Sequence, residues 1–194
     1  MSGALFPGWR PDAAGRERLA EQIATLLAAC PTGAPKLQPR RPEQWHATLC
    51  FIGYGLRDAV TPRLLSAFAD AAARIPPHDF TIERIEYWRQ SGAVVALPGP
   101  CPALQALCDE TYAAVRRCGL RPQQATTQPH VTLAYLGRGL DPQPWLAGVD
   151  CTGASLRVDG FELLFNPGGR YESLASWPLT GTRLPAIPTQ PALL

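Results

Sequence analysis

Two octapeptides decide how this chain is read: HATLCFIG, His46–Gly53, and HVTLAYLG, His130–Gly137. The 194 residues contain three histidines, and two of them open these stretches. His, Thr, Leu and Gly recur in register, and three of the other four positions change conservatively. Side chains of a β-strand alternate faces with period 2. His46 and Thr48 therefore share one face of their strand, with Ala47 and Leu49 on the other. His130 and Thr132 share a face in the same way, opposite Val131 and Leu133. Packing explains a repeated Leu and a repeated aromatic, but it gives no reason to repeat a His or a Thr on the opposite face.

If the two strands come together, two imidazoles and two hydroxyls surround one cavity. Imidazole titrates near neutrality, so such a pair can hold one neutral and one protonated member. The neutral ring takes a proton from water or an alcohol, and the protonated ring gives one to a departing oxygen. Each transfer is worth roughly 10²–10⁴ in rate. Thr hydroxyls donate to phosphate oxygens where charge develops. The set suits phosphoryl chemistry with no metal and no cofactor. The competing reading of one HxT is a hydrogen-bonded structural histidine.

Working outward, Leu19, Ile23, Leu26, Leu27 and Cys30 mark one face of a helix running from Pro11 or Asp12 to Cys30. Pro35 to Pro42 reads as a loop or frayed strand. Thr61-Pro62 opens a second helix, with Thr as cap and Pro in the first turn. Asp79 to Arg89 reads as a strand with a bulge near Arg84, and Ala93 to Leu97 as a short apolar strand. A third helix spans about Cys101 to Cys118, ended by Gly119. A turn or short helix near Pro142–Leu146 leads to strands near Ser155–Phe165 and Tyr171–Trp177. Read this way the order starts with a helix, and strand–helix–strand crossovers are too few for a doubly wound sheet. The fold class is α+β with mostly antiparallel sheet, and the repeated octapeptide marks an internal duplication.

Composition fits a folded domain: 46% hydrophobic and 18% charged residues. A net charge of +2 and a pI near 8.3 are too weak for binding along extended nucleic acid by charge alone. An RNA end or a small anion suits this balance. The six cysteines form no CxxC pair or zinc-finger spacing, so reduced thiols and a cytoplasmic location are expected. No run of residues suits a signal peptide or a membrane span. Residues 1–183 are expected to form a single domain, a monomer, with a Pro-rich tail over 184–194. His78, in PPHDF, reads as a surface histidine. Arg40, Arg41 and Trp45, just before His46, are candidate substrate contacts, against the plain reading of a solvated loop.

The doubled H-x-T-L strand, one copy in each half of the chain, resembles the 2H phosphoesterase superfamily. Within it the likeness is to the RNA 2′,3′-cyclic phosphodiesterases, also called 2′-5′ RNA ligase-like proteins. ALFPGWRPD resembles the family's opening strand and turn, QPHVTLAYLG its second motif, and FELLFNPGGRYESLASWPL its closing hairpin. The resemblance implies a bilobal α+β fold with two pseudo-symmetric lobes, helices on the outer faces and a central cleft. It implies metal-independent opening of 2′,3′-cyclic phosphate RNA ends to 2′-phosphomonoesters, with reversible 2′-5′ RNA ligation as a related activity. His46 and His130 become acid and base, with His130 activating water and His46 protonating the leaving oxygen. Thr48 and Thr132 become phosphate ligands. Two alternatives keep the scaffold: another small cyclic phosphate (ADP-ribose 1″,2″-cyclic phosphate) or a 2′-5′ linkage as substrate, and a non-catalytic module that binds RNA ends or nucleotides. Two departures stand out. The family often has Arg or Lys a few residues past the second His, where this chain has Tyr135, itself a candidate substrate contact. Pro7 and Gly8 interrupt the opening strand.

Overall fold

Ala47 and Val131, the residues that follow the two histidines, face each other across an antiparallel strand pair. The computed structural model describes residues 3–136, 142–150 and 153–184. Gly137, Cys151 and the tail past Leu184 lie outside the described residues. The first half runs β1 (Ala4–Trp9), α1 (Ala13–Ala29), β2 (Gln38–Pro39), β3 (Ala47–Thr48), β4 (Cys50–Phe51), β5 (Gly53–Tyr54), α2 (Pro62–Arg74) and β6 (His78–Trp88). There follow β7 (Ala93–Pro98), α3 (Pro102–Arg117), β8 (Gln124–Ala125), β9 (Val131–Tyr135), α4 (Gln143–Leu146), β10 (Ser155–Val158), β11 (Gly160–Asn166) and β12 (Glu172–Pro178).

The main sheet runs β10-β6-β7-β9-β3-β1-β11-β12, with β2 added to β9 and β5 to β1. Four strands lie on each side of the β3–β9 junction, which is the pseudo-symmetric bilobal α+β arrangement expected. The duplication extends to the flanking segments. The stretch before the first motif pairs with the end of the second, Pro39 opposite Ala134. The stretch before the second motif pairs with the end of the first, Ala125 opposite Cys50.

Helix positions follow local sequence. Asp12 caps α1 by accepting from the Gly15 amide at 2.7 Å, and the Thr61 hydroxyl accepts from Leu64 N at the start of α2. Past α3 the chain turns through Gly119 at φ +81°, where a side chain would be strained. One core joins Leu19 and Leu26 of α1, Leu64 and Phe68 of α2, and Leu104 and Leu107 of α3 to Ala47, Leu49, Val131 and Leu133. The helices thus cover the sheet face that Ala47 and Val131 point into, leaving the histidine face uncovered by them. None is long and apolar enough to cross a membrane.

Three local expectations need correction. The chain opens with a strand, β1, before any helix, and Pro7 and Gly8 do not break it: Ala4–Gly8 pair continuously with Asn166–Glu162. The Pro7 carbonyl accepts from Leu49 N at 2.9 Å, and that of Leu5 from Ile52 N at 3.1 Å. In an extended strand a residue's N–H and C=O point to the same side, so the missing Pro7 donor faces this neighbour and leaves the β11 ladder whole. Leu49 and Ile52, three apart, bond carbonyls only two apart on β1. The extra residue is a bulge. HATLCFIG is therefore not one strand but three short pieces, with Cys50–Phe51 turning away to pair with β8. Lastly, His78, read from the sequence as a surface histidine, is half-buried: it starts β6, and its Nδ1 donates to the Pro76 carbonyl at 2.9 Å. The bulge expected near Arg84 is present, as a register shift between Ile82 and Arg84.

Candidate active site

The pairing of Ala47 with Val131 fixes the geometry of the site. One step further along this antiparallel register sets His46 across from Thr132, and Thr48 across from His130. Directly opposed residues on one face lie about 4.5–5.5 Å apart at Cβ, and diagonal neighbours roughly 7–8 Å. Each imidazole thus faces the hydroxyl of the other motif, and the two imidazoles lie diagonally across the junction. Gly8 of β1 flanks Thr48, and Val95 of β7 flanks Thr132.

Both histidines are fastened alike. The carbonyl two residues earlier accepts from Nδ1, that of Gln44 at 2.8 Å for His46 and that of Gln128 at 3.0 Å for His130. A carbonyl only accepts, so Nδ1 carries the proton in the neutral ring and Nε2 keeps the lone pair. The His46 ring is wedged between Phe6 and Tyr171, with centroids 5.2 and 4.8 Å away. The His130 ring lies 4.2 Å from Trp88. Burial pushes the pKa of His46 down to about 4, helped by the charges of Arg40, His130 and Arg10 and opposed by the Gln44 carbonyl. Burial lowers that of His130 too, against the Gln128 carbonyl. A cavity of about 320 Å³ opens over Thr48 and His130, walled by Phe51, Trp88, Gln124 and Thr126.

The structure places the remaining candidates in different settings. Trp45 is a correction: at 2% exposure it belongs to the core and lines no cleft. The alternation that puts His46 on the cleft face puts Trp45 with Ala47 and Leu49 on the other. Arg41 is exposed, whereas Arg40 is half-buried beside His46. Tyr135 is exposed, with the Arg40 guanidinium 5.5 Å from its ring centroid. Phe6 and Trp88 were not singled out from the sequence. Strand alternation from Gly8 would have placed Phe6 on the Thr48 face. Trp88 had no such signal, because its strand is bulged.

The family model of the 2′-5′ RNA ligase superfamily matches residues 11–169, a stretch that holds both motifs. The chain belongs to the 2′-5′ RNA ligase superfamily. It is thus a 2H phosphoesterase, an enzyme of a class that acts on phosphodiesters. No curated protein matches the chain. Among solved structures, TT0787 of Thermus thermophilus has a TM-score of 0.72 at 21% identity, over 93% of this chain and 100% of that one. Escherichia coli LigT complexed with 3′-AMP has a TM-score of 0.67 at 22% identity, over 93% and 99%. LigT has also been solved with ATP and with NADP+. The MHV ns2 PDE domain is a more distant match, with a TM-score of 0.54 at 11% identity over 84% of this chain and 98% of that one. At these identities the solved structures establish the shared fold.

The half-buried His46 of this superfamily member has a consequence for stability. Its pKa is about 4 folded against 6.5 in the free side chain. The unfolded chain therefore binds more protons between those values. The stability tied to neutral His46 is complete above pH 6.5 and is lost as pH falls through 4. The shift corresponds to about 3 kcal/mol. His46→Asn is expected to flatten the fall in stability over that interval in urea titrations at successive pH values. A wild-type slope retained in the variant would show that other groups set acid stability.

Proposed function

We propose that this enzyme opens 2′,3′-cyclic phosphates at RNA ends to 2′-phosphomonoesters by paired-histidine acid–base catalysis, with no metal. The observation that carries the reading is the crossed quartet, in which each imidazole lies across from the other motif's threonine, with a cavity opening over Thr48 and His130. His130 takes a proton from water, and the water oxygen bonds to phosphorus. The bond from phosphorus to O3′ breaks, and His46 delivers its proton to that oxygen. Thr48 and Thr132 donate to the non-bridging oxygens as charge builds there. The neutral cavity walled by Phe51 and Trp88 suits a flat nucleobase, and the 3′-AMP, ATP and NADP+ complexes of LigT support a nucleotide ligand.

His46 is neutral in the empty site at pH 7, its pKa being about 4. To act as the acid it must take up a proton along with the anionic substrate, whose charge between the two rings favours the imidazolium. One assay tests the substrate class. An RNA oligomer ending in a 2′,3′-cyclic phosphate, a 2′-5′-linked dinucleotide and ADP-ribose 1″,2″-cyclic phosphate compete in a single reaction. The reading expects the cyclic RNA end to have the highest kcat/KM. Preference for either competitor would move the chemistry to that substrate.

A further inference from the structure

The scaffold around the site is symmetric, but its two ends differ in charge. Tyr135 and Phe51 hold equivalent places, each five residues past its histidine. Arg40 and Thr126 are equivalent too, each next to the residue that pairs with the other motif, Pro39 with Ala134 and Ala125 with Cys50. One end of the cleft thus has an uncharged pair, Phe51 and Thr126, beside Thr48 and His130. The other end has a cation on an aromatic ring, Arg40 on Tyr135, beside His46 and Thr132.

Arg40 is built into place. Its backbone N–H donates to the Leu133 carbonyl at 2.8 Å, which fixes the chain at that point. The guanidinium lies over Tyr135 and donates to the Tyr171 hydroxyl at 3.3 Å. Tyr171 in turn packs edge-on against the His46 ring. The wall behind it is tied down where Gln44 Nε2 donates to the Gly169 carbonyl at 2.8 Å. Among the described residues, no carboxylate forms an ion pair with Arg40. A half-buried guanidinium held by a phenol and a ring, with no carboxylate, has its desolvation offset only in part, and an anion in the cleft would complete it. At the opposite end the segment from Gln123 to Gln128 has no charged residue.

We propose that the Arg40–Tyr135–Tyr171 end of the cleft is a subsite for a second, non-reacting phosphate group of the substrate. The nucleobase then lies at the Phe51–Trp88 end, with the reacting phosphate between the histidines. This rests on the functional reading above and sharpens its substrate class: a cyclic phosphate that carries another phosphate, rather than a lone cyclic nucleotide. The second group is either the upstream phosphodiester of an RNA or the pyrophosphate of a dinucleotide-like molecule.

The test compares adenosine 2′,3′-cyclic phosphate with a dinucleotide ending in the same cyclic phosphate, and with ADP-ribose 1″,2″-cyclic phosphate. Each is assayed with wild type and with Arg40→Gln. Wild type is expected to favour a two-phosphate substrate by about tenfold or more in kcat/KM, as one charge-assisted contact allows. Which of the two it favours identifies the source of the second phosphate. Arg40→Gln is expected to remove most of that preference. Taking the ratio cancels any change that reaches the chemistry through His46. In wild type alone the preference should also shrink with added salt, a readout that needs no variant to fold. Equal losses on one- and two-phosphate substrates would assign Arg40 to the reacting phosphate and overturn the subsite. So would a wild-type preference that Arg40→Gln leaves intact, or no preference at all. A wild type inactive on all three would instead sink the functional reading.

Discussion

Replacing either His46 or His130 with Asn is expected to cut turnover of a 2′,3′-cyclic phosphate end at least about a hundredfold, within the range for losing a general acid or base. Asn keeps a donor for the Gln44 or Gln128 carbonyl, which holds the wild-type ring at 2.8 or 3.0 Å. It offers no group that titrates near neutrality. The fold should survive, because both side chains lie on the sheet face that the helices leave open. The double variant should be little worse than the poorer single one, since the two groups act in one step and their losses do not add. The pH profile separates the roles. A base fails when protonated and so sets the acidic limb, whereas an acid fails when deprotonated and sets the alkaline limb. Residual activity of His130→Asn should lack the acidic limb, and that of His46→Asn the alkaline one. Exchange of those limbs would exchange the roles. Full activity in either variant would end the paired mechanism, and tight binding without turnover by the wild type would point to a binding module.

Phe68→Ala is expected to do the reverse, costing stability and sparing chemistry. Phe68 is fully buried on α2. Its ring meets Phe161 of β11 edge-on at 5.9 Å and Trp177 of β12 at 5.3 Å, and those two rings lie 5.3 Å apart. The cluster fixes α2 on β11 and β12, at one edge of the main sheet. Removing a buried Phe leaves a cavity and forfeits its burial, together about 3–5 kcal/mol. The urea midpoint should fall with the slope unchanged, while kcat per folded molecule stays at the wild-type level. A loss under about 1 kcal/mol, well below that range, would mean that α2 settles into the space. A large fall in kcat would couple this packing to the cleft.

These two substitutions also mark how far the sequence could be read. The quartet was legible because alternation and repetition are both local signals. His46, Thr48, His130 and Thr132 needed no tertiary information beyond the meeting of the two strands, which Ala47 and Val131 provide. The same alternation places Trp45 in the core, and its neighbourhood to His46 was misleading. Helices α1, α2 and α3 were legible from caps and stripes. The opening strand was not legible from its residues, because Pro7 in a strand argues against one. It is tolerated only because its missing donor faces the bulge of the partner strand, a tertiary fact. The break of HATLCFIG into three pieces has the same origin. Likewise, nothing local says that the Ser155–Phe165 stretch divides at Asp159, with β10 joining β6 in one lobe and β11 joining β1 in the other. The place of Arg40 beside His46 depends on a two-residue pairing between β2 and β9, which periodicity does not reveal.

The most direct test of the account is a product analysis. The purified chain is incubated in excess EDTA with an RNA oligomer ending in a 2′,3′-cyclic phosphate, and the terminal monoester is identified by NMR or by comparison with authentic standards. Two imidazoles acting across the cyclic phosphate, with the bond to O3′ broken, predict full conversion to the 2′-phosphate at a rate that EDTA does not change. A 3′-phosphate product, or activity that appears only when a divalent metal is restored, would contradict it.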